Sequence, residues 1–142
     1  MHTTLSLVLA GLFTLSCCVN AEAQTSKKTK VRPFNNTASL AYTVQTVSVK
    51  IGCFPPQLRA ILSHIAAKTG RIPVVTSGFR PRSGRAHSQH RYCNAADIRV
   101  AGVSERAIIA AAQTAPGIGG IGRYCNGIVH VDVGPKRRWS YC

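Results

Sequence analysis

Two short apolar runs of this chain each carry an acid. "AADIRV" (95–100) holds Asp97, and "IVHVDV" (128–133) holds Asp132 two residues after His130. The period-two pattern of both runs predicts strands. Alternation puts Asp97 on a face with Ala95 and Arg99, and Asp132 on a face with His130. Acids are scarce in this chain: Glu22, Asp97, Glu105 and Asp132 are its four, against 18 Lys plus Arg. Two of the four stand near histidines: Asp97 seven residues after His90, and Asp132 two after His130. His90 precedes Asp97 in "SQHRYCNAADIRV" (88–100), and Arg-Tyr-Cys-Asn from that stretch recurs in "GRYCNGIVHVDV" (122–133). Four residues are too few to establish a duplication.

The chain has 142 residues, enough for one domain. Its apolar start, "LSLVLAGLFTLSCCV", followed by "NAEA", predicts an export signal over 1–23 with cleavage after Ala23. The run is short for a membrane span. Lipid attachment at Cys17 or Cys18 is the secondary reading. Cleavage would remove one acid and none of the basic residues, raising a formal charge of +14 by one. Such a charge calls for an anionic partner or environment. An exported chain is expected to meet it at an anionic envelope surface, in the periplasm or outside the cell. No aromatic-basic motif of the base-stacking kind is present, so no nucleic-acid partner is expected. A solvated basic surface explains much of the charge equally well. Cys53, Cys93, Cys125 and Cys142 follow the signal, and their even number predicts two disulfides in an oxidising compartment. Three pairings are open. No C-x-x-C spacing suggests a thiolate metal site.

Residues 24–48 read as a basic, flexible lead-in, although "LAYTVQTVSVKI" (40–51) has a strand's alternation. The folded domain is expected over 49–142. Pro55–Pro56 and the stripe Leu58, Ile61, Leu62, Ile65 predict a helix over about 56–69, closed by Gly70. His64 lies off the stripe and reads as a surface residue. "IPVVTSGF" (72–79) predicts a buried strand, and "RPRSGRAHS" (80–88) a loop. Ala95, Asp97 and Arg99 share one face of the next strand. Ser104 caps a helix over about 104–114, and Glu105 suits its positive end. "GGIGRY" (119–124) and "IVHVDV" form a hairpin around "CNG" (125–127). His130 and Asp132 share a face there, about 7 Å apart. The class is α+β: a small antiparallel sheet with two main helices, expected to be a monomer.

Ser88, His90, Ala95 and Asp97 fit S-x-H-x-x-G-x-A-x-D, with Cys93 in the glycine place. "SGFR" (77–80) stands upstream, and "HVD" (130–132) with "GPKRRW" (134–139) downstream. Over about 53–139 this resembles the zinc D-alanyl-D-alanine carboxypeptidase and endopeptidase family, whose fold is shared with the hedgehog signalling domain. The resemblance implies Zn2+ on His90, Asp97 and His130, a donor set that leaves one position open for hydrolysis. It implies that Arg80 holds the substrate carbonyl or terminal carboxylate, with Ser88 and Trp139 beside the substrate. It implies peptidoglycan peptides as substrate. Two departures stand out. Cys93 in place of glycine needs a loop that tolerates a side chain, which a disulfide there could hold. Many relatives carry a general base three residues before the last histidine, and here that residue is Gly127. Asp132 is left either as base or as a partner that orients a ligand histidine, with His87 as a further proton carrier. The other reading is a zinc-containing wall-binding module of the same fold without turnover.

Overall fold

The computed structural model describes residues 41–142. The expected export signal, Cys17, Cys18 and the segment 24–40 lie outside the described residues. The elements run β1 (Thr43–Val44), α1 (Pro56–Thr69), β2 (Val74–Ser77), a 3-10 turn (Gln89–Tyr92), β3 (Ala95–Arg99), α2 (Glu105–Gln113), β4 (Gly120–Arg123), β5 (Val129–Asp132) and β6 (Arg137–Ser140). No helix among the described residues is long and apolar enough to cross a membrane.

Both helices form where the spacing predicts them. In α1 the buried residues are Leu58, Ile61, Leu62 and Ile65, and Gly70 closes it at φ 65°. A left-handed C-terminal residue costs glycine nothing, because it has no Cβ. Ser104 caps α2, its side chain accepting from the Ala107 N–H. Glu105 does more than suit the helix start: its carboxylate accepts from Arg123 Nε at 2.8 Å and from the Gly127 N–H. It thereby ties α2 to the β4–β5 turn. His64 bridges the two helices through a 2.9 Å contact with Thr114 Oγ1, so it has a structural task.

The six strands lie in the order β1-β2-β3-β5-β4-β6. The class is α+β, as the sequence implies. The sheet is mixed, however, because the edge strands β1 and β6 pair parallel with β2 and β4 around an antiparallel centre. Strand β6 has no apolar alternation to announce it, since "RRWS" is half charged. The fold also takes in residues before 49: Tyr42 is buried, and Thr43 and Val44 pair with Val74 and Val75.

Alternation divides the sheet's residues into two sets. Ala96, Ile98, Ile121, Val129 and Val131 join the helix residues in one core. Asp97, His130 and Asp132 alternate with them along β3 and β5 and so share the other face. The registers Asp97↔His130 and Ala95↔Asp132 make acid and imidazole direct cross-strand neighbours. On β4, two glycines make room on that face. A Cβ on Gly120 would stand 2.3 Å from Asp132 Oδ2, and one on Gly122 would stand 2.3 Å from Trp139 Cε2.

Disulfides join Cys53 to Cys93 and Cys125 to Cys142. Cys93 and Cys125 are the two non-glycine residues with positive φ, 60° and 55°. The repeated Arg-Tyr-Cys-Asn is thus a repeated local conformation: each cysteine takes a left-handed turn and is cross-linked there. Outside this turn the two copies differ, since Tyr92 is exposed and Tyr124 is half-buried. With Cys53, Cys93, Cys125 and Cys142 oxidised in these two bridges, the native chain is expected to weigh about 4 Da less than with the four reduced, two hydrogens per bridge. Four free thiols in non-reduced exported protein would contradict this.

Candidate metal centre

His90 reaches the centre from the 3-10 turn between β2 and β3. Cys93, closing this turn, takes the left-handed conformation that a glycine would adopt at least cost, and the bond to Cys53 holds it. The Arg80 N–H donates to the His90 carbonyl at 2.9 Å, tying the turn to the segment after β2. Gly78 is required nearby, because a Cβ there would meet the Lys50 carbonyl oxygen at 2.2 Å. The close approach leaves the Gly78 carbonyl 2.6 Å from His90 Nδ1.

Three donor atoms converge. His90 Nε2 lies 3.2 Å from Asp97 Oδ1 and 3.2 Å from His130 Nδ1, and His130 Nδ1 lies 2.9 Å from Asp97 Oδ1. All three residues are buried. The partners on the far side of each ring assign the protons. A carbonyl oxygen only accepts, so His90 carries its proton on Nδ1 toward Gly78. Asp132 Oδ2, 2.9 Å from His130 Nε2, takes the proton of that nitrogen. Each neutral ring then turns a bare lone pair toward the other and toward a carboxylate oxygen. Such a triangle needs a cation at its centre. A tetrahedral ion with bonds of about 2.0–2.1 Å spaces its donors about 3.3 Å apart, close to the three distances here. The residues fit a metal ion.

Without an ion the same atoms compete for protons. Burial alone would raise the Asp97 pKa, but hydrogen bonds with His130 and His90 and their charge hold it well below the usual carboxylate range. Burial would lower the His130 pKa, yet the bonds to Asp132 and Asp97 outweigh it and raise the value. A ligand nitrogen must be bare, and the raised His130 pKa makes its protonation easier, so metal uptake weakens as pH falls.

Asp132 stands behind His130 rather than at the cleft. It is fully buried behind His130. Its Oδ1 accepts from the N–H groups of Gly120 and Gly134, each at 2.8 Å. Its Oδ2 accepts from His130 and from Arg137 Nη2 at 2.7 Å. Four donors saturate it, and it lies on the side of the ring away from Asp97. Its geometry is that of the orienting partner, the other role open to it.

A cleft of about 840 Å³ opens over the triangle. Arg80, His87, Ser88 and Trp139 all line it. Arg80 Nη2 stands 3.4 Å from Asp97 Oδ2, and its side chain is half exposed to the cleft. Trp139 lies over Gly122 with its ring 5.0 Å from that of His130, and the Arg137 guanidinium covers it at 5.0 Å. Among the described residues, Asp97 is the one carboxylate lining the cleft. Gly127 sits in the β4–β5 turn at φ 84°, bonded to Glu105. Arg85, Tyr124 and Tyr141, which no motif marks, also line the cleft, as does Arg137 of the "GPKRRW" element. Arg137 could have been found, since a buried Asp132 needed a cation and "GPKRRW" offered one nearby.

One imidazole from the 3-10 turn, with an imidazole and a carboxylate from neighbouring strands, converges beneath the cleft as a group that could hold one metal ion. The family model described as Peptidase M15 matches residues 36–132, and the chain belongs to that family. It is thus a peptidase of a metal-dependent kind. The match ends at Asp132, so the segment from Gly134 to Trp139 is placed by the structure alone. No curated protein and no solved structure matches the chain.

Proposed function

We propose that this chain is an exported zinc peptidase that hydrolyses peptidoglycan peptides, as a D-alanine-type carboxypeptidase or endopeptidase. The convergence of His90 Nε2, Asp97 Oδ1 and His130 Nδ1 beneath an open cleft carries the reading. Zinc held by these three atoms would polarise the scissile carbonyl and acidify water.

The chain's own groups do the rest. Asp132 holds the His130 ring by its Nε2–H, keeping Nδ1 aimed at the centre. Arg80, with one nitrogen on Asp97, presents its remaining N–H groups to the cleft, where they suit a substrate carboxylate or carbonyl. Hydrolysis moves a proton from the attacking water to the leaving amine. His87 lines the cleft and is not a ligand, so it is the imidazole available to carry that proton. Trp139 and Arg137 wall the site. Two disulfides suit an oxidising compartment, and a +14 chain suits an anionic envelope.

The absence of a second carboxylate from the lining, with Gly127 in the usual place of a base, favours one other reading: a zinc-containing wall module without turnover. Incubating zinc-loaded protein with intact sacculi, with products identified by mass, separates the two. Free D-alanine marks a carboxypeptidase and opened cross-links an endopeptidase. Retention on sacculi with no new product would overturn the enzymatic reading.

A further inference from the structure

One polar group in the cleft has no task in the account above. Tyr124 follows directly on β4, is half-buried and lines the cleft. Its ring stacks on that of Tyr141, with centroids 6.2 Å apart and planes 17° from parallel. The pair is tied down twice. The Tyr141 N–H donates to the Arg123 carbonyl at 2.8 Å, and the Cys125–Cys142 bond joins the residues that follow the two tyrosines. The Tyr141 hydroxyl is already engaged, accepting from Arg85 Nη1 at 2.7 Å. The Tyr124 hydroxyl is placed differently. The Trp139 indole, which can only donate, lies against its oxygen. No acceptor among the described residues takes its proton.

We propose that Tyr124 is a catalytic residue whose hydroxyl donates a hydrogen bond to the substrate carbonyl oxygen as that oxygen gains charge. This rests on the peptidase reading and deepens it. Attack on an amide carbon moves an electron pair onto the carbonyl oxygen, and fixed donors aimed at that oxygen lower the barrier. Among the described residues the cleft has no second carboxyl group to donate from, and Arg80 is shared with Asp97. A phenol on the cleft wall, clamped by a stack and a disulfide, has little freedom left to lose when it binds substrate. Its protonation state suits the task. A phenol titrates at about pH 10, so at neutral pH the hydroxyl keeps the proton it offers. A merely structural Tyr124 would act through its ring, and the hydroxyl would be dispensable.

Tyr124→Phe separates these roles, since it retains the ring and removes one oxygen. In the full, zinc-loaded chain acting on diacetyl-L-Lys-D-Ala-D-Ala, kcat is expected to fall about 10²-fold or more, the usual cost of one oxyanion donor. KM should stay within about twofold, with metal content and melting temperature unchanged. A phosphinate analogue of D-Ala-D-Ala carries a tetrahedral oxyanion and gives a readout without turnover. Its Kd by calorimetry should rise in the variant by about the factor lost in kcat/KM. Equal kcat and equal phosphinate affinity in the two proteins would overturn the proposal, as would an effect confined to KM. A wild type that neither cleaves the peptide nor binds the phosphinate would instead overturn the peptidase reading, and this inference with it.

Discussion

His130→Ala is expected to yield a folded chain that has lost its metal and its turnover. The substitution removes one of three converging donors and leaves His90 Nε2 and Asp97 Oδ1, two atoms 3.2 Å apart. Two donors hold a zinc ion far more weakly than three. The fall in affinity should exceed the about 10–100-fold that loss of an outer partner costs. The fold should survive, because Asp132 retains Arg137 and the N–H groups of Gly120 and Gly134 after the imidazole is gone. The stability cost should stay near 1–3 kcal/mol, roughly that of one disturbed buried polar contact. Metal analysis after desalting, with circular dichroism on the same sample, checks both halves. Full metal content in the variant would contradict the ligand set.

Asp132→Asn should have the second largest effect, and in a different manner. The carboxylate receives two donors on each oxygen. An amide of the same shape can accept at its oxygen alone. Its NH2 must therefore face either His130 and Arg137 or the two glycine N–H groups, donor against donor. The His130 ring loses the acceptor that fixes its tautomer, and Nδ1 is no longer held bare toward the ion. Zinc affinity should drop about 10–100-fold, with turnover recovered by excess metal. Stability should fall by about 1–3 kcal/mol, since the group is wholly buried. Unchanged affinity with turnover lowered about 10²–10⁴-fold would instead mark Asp132 as a proton carrier.

Much of the site could be read before any coordinates, for a physical reason. Asp97, His130 and Asp132 sit on alternating strands, and alternation assigns residues to faces without reference to the rest of the fold. The stripe of α1 and the cap of α2 were legible in the same way, because helical period and capping are local. What escaped was set by pairing between distant segments. Strand β6 owes its place to β4, where Gly122 leaves room for Trp139, and nothing within "RRWS" requires a strand. The disulfide pairing followed from which left-handed turns the sheet brought near Cys53 and Cys142. The role of Asp132 turned on which side of the His130 ring faced the cleft. Face assignment cannot supply this, since both residues share a face. Tyr124 lay in a loop with no period, and its only mark was the repeated tetrapeptide.

Titration of the metal-free chain with zinc, following hydrolysis of a D-Ala-D-Ala stem peptide, tests the central claim most directly. Negligible turnover is expected without metal, with a linear rise as zinc is added. A break at about one equivalent is expected, because the described donors form one triangle. Turnover that persists after complete metal removal, or that ignores added zinc, would contradict it.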